Sequence, residues 1–390
     1  VKKISTIILL SLSAYSLQAQ NFIQAYQTRV DKITQANITS NLQQFSDLGV
    51  KTTGSVENTN ALNWLKAKYE SYGYTASQIT EDAFTYGAST SKNLIITKTG
   101  TLYPNTYVVI CGHYDTVTGP GVSDNGSGTS ILLEAARILK DVPTDYSIKF
   151  IHFSGEEQGL LGSKHYVNNV IFQNNARQVN LKLVFNIDQV GGKIGNVNSN
   201  ITCESDQSGQ TGNNAASLAV TQELATCTTL YSPLQPTMSN AYASDYISFE
   251  NKGDIITGFY ETTRSHNEHT VNDTFANIDP VYVFNVGKAA LGALQHYAGA
   301  SSTLGTDEVY ADNPLETIKI YPNPAQDVLH IELPKENKNF QVEISDMNGR
   351  LLINAESEKK INTSALMNGV YMVTVKSDKN SITKKIIIEK

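Results

Sequence analysis

Tyr107-Val108-Val109-Ile110-Cys111-Gly112-His113-Tyr114-Asp115 is an unbroken apolar run that ends in glycine, histidine and aspartate. A run this short, continuous and rich in β-branched residues reads as a strand buried on both faces, with its polar residues emerging at the carboxyl end. Residues 93–97, 147–153, 183–187 and 255–259 have the same strand character. Helical spacing occurs at 60–72, where Leu62, Leu65 and Tyr69 share a face, and again at 130–140, 163–168 and 281–297. This alternation predicts an α/β fold, a three-layer sandwich around a mostly parallel mixed central sheet.

The chain of 390 residues is long enough for about two to three folded units. Residues 1–19 carry Lys2 and Lys3, an apolar stretch from Ile4 to Leu17, and Ser16-Leu17-Gln18-Ala19 as a cleavage site. That is the layout of a secretory signal peptide, too short in its apolar part to span a bilayer. The expected mature chain therefore has no transmembrane segment. A formal net charge of −7 gives no reason to expect nucleic-acid binding. With only three cysteines, the fold does not depend on a disulfide framework. Cys111 reads as a buried thiol, and Cys203 with Cys227 are left open between a disulfide and two free thiols.

Residues 20–298 form the alternating unit, 299–316 a linker opening on Gly299-Ala300-Ser301-Ser302, and 317–390 a unit of strands alone. In the last, residues 328–331, 340–344, 371–375 and 386–388 are short and β-rich, and Asn348-Gly349 is a hairpin signal. A small C-terminal antiparallel β-sandwich is expected. Beyond Asp312 the only aromatic residues are Tyr321, Phe340 and Tyr371, too few for a sugar-stacking platform.

In open α/β sheets, ligands bind beyond the carboxyl ends of the strands. There this sequence places His113 and Asp115, then Glu156 and Glu157, then Asp188, then His266 and His269. A glycine-rich loop, Ser123-Asp124-Asn125-Gly126-Ser127-Gly128, adds Asp124 just before a helix. Each has a plainer reading when taken singly: a hydrogen-bonded loop histidine, a turn, a helix start favoured by the dipole, a cap. Their coincidence at successive strand ends favours a cluster of imidazoles and carboxylates suited to zinc, with enough ligands for two ions sharing one carboxylate. His152, His165, His296 and His330 take structural assignments.

Gly112-His113-Tyr114-Asp115, the Asp124 loop, Gly155-Glu156-Glu157-Gln158-Gly159-Leu160-Leu161-Gly162-Ser163, Asn186-Ile187-Asp188 and His269-Thr270-Val271-Asn272-Asp273-Thr274 occur in that order. Together they resemble the signature blocks of the bacterial co-catalytic di-zinc aminopeptidases, peptidase family M28, over residues 38–297. The resemblance implies two Zn²⁺ per chain: His113 and Asp188 on one, Glu157 and His269 on the other, Asp124 bridging. It implies Asp115 as the partner of the far His113 nitrogen, Glu156 as general base, and a cis peptide at Asp124-Asn125. His269 is preferred to His266 because it begins the His-Thr-x-x-Asp-Thr block. For the oxyanion, the segment 240–246 offers Tyr242, with Tyr246 in reserve. The implied activity is hydrolysis of N-terminal residues from peptides. Ile318 to Pro324, with Asn368-Gly369-Val370-Tyr371 and the basic-apolar end, resembles the sorting domain of the type IX secretion system. The expected location is thus secreted or cell-surface, reached through the periplasm and outer membrane with that machinery as partner.

Other readings on this fold are a carboxypeptidase, with Arg264 as clamp for the substrate carboxylate, or a glutaminyl cyclase needing one metal. A non-catalytic peptide-binding protein would lack Glu156 or a ligand, and neither is missing.

Overall fold

Residues 107–111 lie inside an eight-stranded mixed sheet in the computed structural model, which describes residues 21–208, 212–241, 243–304, 318–333, 340–346, 350–376 and 381–390. The chain divides into two compact units, Val1–Thr303 and Leu304–Lys390. The signal-peptide expectation for residues 1–19 and most of the expected linker lie outside the described residues.

In chain order the strands of the first unit are β1 (Ile79–Tyr86), β2 (Ser89–Lys98), β3 (Tyr103–His113) and β4 (Tyr146–Phe153), then a separate short ribbon of β5 (Phe172–Gln173) and β6 (Ala176–Arg177), then β7 (Asn180–Ile187), β8 (Asn200–Ser205), β9 (Gln235–Asn240) and β10 (Ile256–Glu261). Across the large sheet the order is β1-β2-β4-β3-β7-β10-β8-β9. The middle four strands, β4, β3, β7 and β10, run parallel to one another. β2 joins β1 and β4 antiparallel, β8 joins β10 antiparallel, and β9 joins β8 parallel.

The helices are α1 (Gln24–Val30), α2 (Gln35–Asp47), α3 (Val56–Ser71), α4 (Ser127–Leu139), α5 (Leu161–Tyr166), α6 (Asn214–Tyr231), α7 (Tyr246–Glu250) and α8 (Pro280–Ala298). Alternate strand residues send their side chains to opposite faces. Leu94, Ile96, Val108, Ile110, Ile148, Phe150, Leu183 and Phe185 enter a core shared with α1 to α4, α6 and α8. Ile95, Val109, Cys111, Ile151, Phe153 and Val184 enter the core shared with α5 and α7. Covered on both faces, the central strands are mainly apolar, with Lys149 and His152 as exceptions on β4, and the three layers follow.

Several elements extend or add to what patterning predicts. The helix expected from residue 60 starts at Val56, because the Ser55 side chain accepts the Asn58 N–H and caps it. The edge strand β1 sets Glu81, Asp82 and Thr85 among its apolar residues and buries only Phe84, so it carries no continuous apolar run. Cys203 on β8 and Cys227 on α6 are both free and buried, as is Cys111; the disulfide alternative does not hold. Among the described residues no helix is long and apolar enough to cross a membrane.

α8 closes the unit. Asp279 caps it, accepting from the Val281 and Tyr282 N–H groups, Pro280 occupies its first turn, and Gly299 ends it in the left-handed region. Asp279→Ala is expected to lower stability by about 1 kcal/mol, read as a shift in the denaturant midpoint at unchanged slope.

The second unit holds β11 (Lys319–Tyr321), β12 (Val328–Glu332), β13 (Gln341–Asp346), β14 (Leu351–Glu356), β15 (Lys360–Asn362), β16 (Gly369–Lys376) and β17 (Ser381–Ile388). They form two antiparallel sheets, β11-β12-β15 and β14-β13-β16-β17, which share one core including Leu329, Ile331, Val342, Ile344, Ile361, Val373, Val375, Ile386 and Ile388. β13 and β14 pair as a hairpin would; Asn348-Gly349 lies outside the described residues.

Candidate metal centre

The parallel strands β3, β4, β7 and β10 end along one edge of the sheet, and the loops beyond them carry the chemistry. His113 is the last residue of β3 and Asp188 follows β7 directly. At this crossing the backbones approach closely: a Cβ on Gly112 would sit 2.8 Å from the Ile187 carbonyl oxygen and 3.0 Å from Asn125 Nδ2. Asn125 fastens the glycine-rich loop here, donating from Nδ2 to that same carbonyl at 2.8 Å and accepting the Gly128 N–H at 2.9 Å. The Asp124-Asn125 peptide is cis.

Two groups of ligand atoms result, His113 with Asp124 and Asp188, and Asp124 with Glu157 and His269, each within 4.8 Å internally. Asp124 belongs to both. Its Oδ1 lies 3.0 Å from His113 Nε2 and its Oδ2 lies 3.1 Å from His269 Nε2. His113 Nε2 is 3.3 Å from Asp188 Oδ1, and His269 Nε2 is 2.9 Å from Glu157 Oε2. His266 is exposed and belongs to neither group.

The donor set suits a divalent cation. His113 Nδ1 lies 3.1 Å from the Asp115 main-chain oxygen, which can only accept, so the proton belongs on Nδ1 and the Nε2 lone pair faces two carboxylates. His113 Nε2 and Asp188 Oδ1 are buried without a hydrogen-bond partner. Three acceptors aimed at one point call for a positive charge between them. The electrostatics agree: burial opposes charge on His113, yet Asp188, Asp115 and Asp124 hold it well above the ordinary histidine value. The bond to Asp124 pushes His269 up to about 9. Burial works to raise Asp124, but the two imidazoles outweigh it and hold the carboxyl low. Burial, with Asp124 adding repulsion, pushes Glu157 up to about 8.

Asp115 sits differently from the arrangement the resemblance implies. Its carboxylate is 3.7 Å from His113 Nδ1, outside hydrogen-bond range, and the bond runs to its carbonyl instead. The carboxylate accepts from the Glu156 and Glu157 N–H groups, both at 3.3 Å, and from the Thr53 hydroxyl at 3.1 Å. Just beyond β3 the main chain of Asp115, rather than its side chain, meets the imidazole. Asp115 thus ties the β3 loop to the β4 loop.

Tyr242 lies outside the described residues. Tyr246 is buried, and its hydroxyl donates to Glu204 Oε2 at 2.7 Å. Other supporting residues come into view only in three dimensions. Ser244 donates to Asp188 Oδ2 at 2.7 Å, Gln189 donates to Asp124 Oδ2 at 2.9 Å, and Asp273 accepts the Ser123 and Asp124 N–H groups at 2.7 and 3.0 Å. Ser244 and Asp273 stand within sequence blocks already singled out; Thr53 and Gln189 carry no sequence signal.

Residues 93–294 match Peptidase family M28, and residues 319–389 match the secretion system C-terminal sorting domain. Over 104 residues the chain is 49% identical to aminopeptidase YwaD of Bacillus subtilis (strain 168), a stretch that covers 26% of this chain and 22% of that protein. The chain spans less than half the length of the curated relatives it matches. The LapA aminopeptidase of Legionella pneumophila has the same fold, with a TM-score of 0.62 at 23% identity over 78% of this chain and 81% of that one. A glutaminyl cyclase of Fimbriiglobus ruber also shares it, with a TM-score of 0.55 at 17% identity over 68% and 95%. At such identities these two structures speak to fold alone. The match over residues 93–294, which takes in the parallel strands and all five residues of the two triads, establishes that the chain belongs to peptidase family M28.

Proposed function

We propose that this protein is a secreted aminopeptidase that removes N-terminal residues from peptides and holds two Zn²⁺ per chain. The observation that carries the reading is the pair of ligand triads sharing Asp124, one oxygen to each. His113 and Asp188 would hold one ion, Glu157 and His269 the other. When bound, such ions lower the pKa of water toward neutrality and polarise a carbonyl oxygen.

The chain's own residues supply the rest. Glu156 is the general base: its carboxylate takes a proton from the attacking water and returns it to the departing amine. Asp115 holds the main chain of Glu156 and Glu157, dividing the neighbours between proton transfer and ligation. Arg264, a candidate carboxylate clamp for the carboxypeptidase reading, is about half-exposed and pairs with Glu268 at 2.7 Å. For export, the reading joins a signal peptide at 1–19 and a linker at 299–316 to the sorting domain, with the type IX machinery as partner.

Metal analysis with hydrolysis of aminoacyl anilides is the test. About two zinc ions per chain are expected; chelation should abolish turnover and returning zinc should restore it. Undiminished activity of the stripped protein would sink the proposal. One ion per chain together with cyclisation of N-terminal glutamine would favour the cyclase reading.

A further inference from the structure

Gln189 directly follows one proposed ligand, Asp188, yet its side chain turns onto another. Its Nε2 donates to Asp124 Oδ2 at 2.9 Å, the same oxygen that faces His269. Its Oε1 accepts the Tyr260 hydroxyl at 2.7 Å. An ionised carboxylate only accepts, so the amide NH₂ must face Asp124 and the amide oxygen must face Tyr260. The backbone of Gln189 is left-handed, with φ +47°, a conformation that residues bearing a Cβ rarely adopt. It is held there in part by the Glu261 N–H, which donates to the Gln189 carbonyl at 3.0 Å. A strained residue reaching into a ligand cluster is a reason to look for a task.

We propose that Gln189, oriented by Tyr260, is a positioning residue for the bridging carboxylate: it holds Asp124 so that Oδ2 serves the His269 triad, and thereby sets that triad's affinity for its cation. The inference rests on the two-metal reading above. Two effects compete. A donor on Oδ2 draws electron density from it and weakens it as a ligand, but a neutral hydrogen bond changes affinity by only a factor of a few. Orientation of a ligand by its outer partner is worth about 10- to 100-fold. Orientation wins, so losing the amide should weaken binding. The effect should also be one-sided. Oδ1 faces His113 without contact from Gln189, and Asp188 is held separately by Ser244.

The full-length protein is stripped of metal and its Zn²⁺ binding measured in competition with a chromophoric chelator, for wild type, Gln189→Met and Tyr260→Phe. Methionine matches glutamine in length and lacks the donor. The His269 triad is the more open, its imidazole 54% exposed against 1% for His113, so it is expected to hold the weaker ion. In Gln189→Met that ion should dissociate about tenfold more readily, while the other shifts by less than about threefold. Loading with Co²⁺ should alter the visible spectrum at the second equivalent only. Tyr260→Phe keeps the amide and loses its anchor, and should give a smaller shift in the same direction. Unchanged affinities in Gln189→Met overturn the proposal. Equal weakening of both ions overturns it too, since that is the signature of a general structural loss. Should Gln189→Met fail to fold, unchanged affinities in Tyr260→Phe overturn it alone. A wild-type chain that binds fewer than two ions sinks the two-metal reading instead.

Discussion

Glu156→Gln is expected to keep both metal ions and lose turnover by about 10³-fold, with the Michaelis constant changed by no more than a few-fold. Glutamine has the shape of glutamate without its capacity to take a proton. The Glu156 contact with Asp115 runs through the main chain, so the substitution leaves the β4 loop tied and Glu157 in place. Burial pushes the Glu156 carboxyl up to about 10, with Asp188, Asp245 and Asp115 adding repulsion and His113 opposing it. On the two-metal reading, cations held by the triads would offset that repulsion and bring the group toward the working range of a base. Metal content, melting temperature and anilide hydrolysis are measured together. Retained turnover removes Glu156 as the base; loss of metal along with turnover reassigns it as a ligand.

The second large effect concerns the bridge. Asp124→Ala removes one oxygen from each triad at a stroke, leaving His113 with Asp188 and Glu157 with His269 as ligand pairs. Metal content should fall below about one ion per chain, and kcat/KM by about 10³ or more, since several kcal/mol of charge stabilisation goes with the ions. In the metal-free protein Asp124 is buried between two imidazoles that hold its carboxyl low, so its removal should also lower the metal-free melting temperature, which is measured beside the metal content. A variant that still holds two ions and turns over would remove Asp124 from its bridging role.

What the sequence made legible was whatever is written in consecutive residues. Short strand-like runs announced β2, β3, β4, β7 and β10, and the polar residues after four of them mark the edge where the triads gather. His269 was separable from His266 by the block it opens. Less local features stayed hidden. β1 borrows its order from pairing with β2 and buries only Phe84 of its own side chains. Ser55 became a cap only once the chain turned into α3. The Asp115 carboxylate and its carbonyl differ in task because of a turn that no pattern of residue types specifies. Thr53 reaches Asp115 across 62 positions and Gln189 reaches Asp124 across 65, distances over which a single sequence carries no pairing signal.

Every cysteine of the chain is a free thiol shut inside a core, and Cys111 donates to Asn186 Oδ1 one residue before the β7 end. Burial raises the Cys111 thiol well above its ordinary value and pushes Cys203 up to about 12, so neither offers a thiolate while the sheet is closed. The protein therefore carries its own opening clock. An alkylating reagent can reach Cys111 only when α5 or α7 lifts from the sheet and Cys203 only when α6 lifts from β8. Mass-resolved labelling of the two would time those events separately, with no probe added to the molecule.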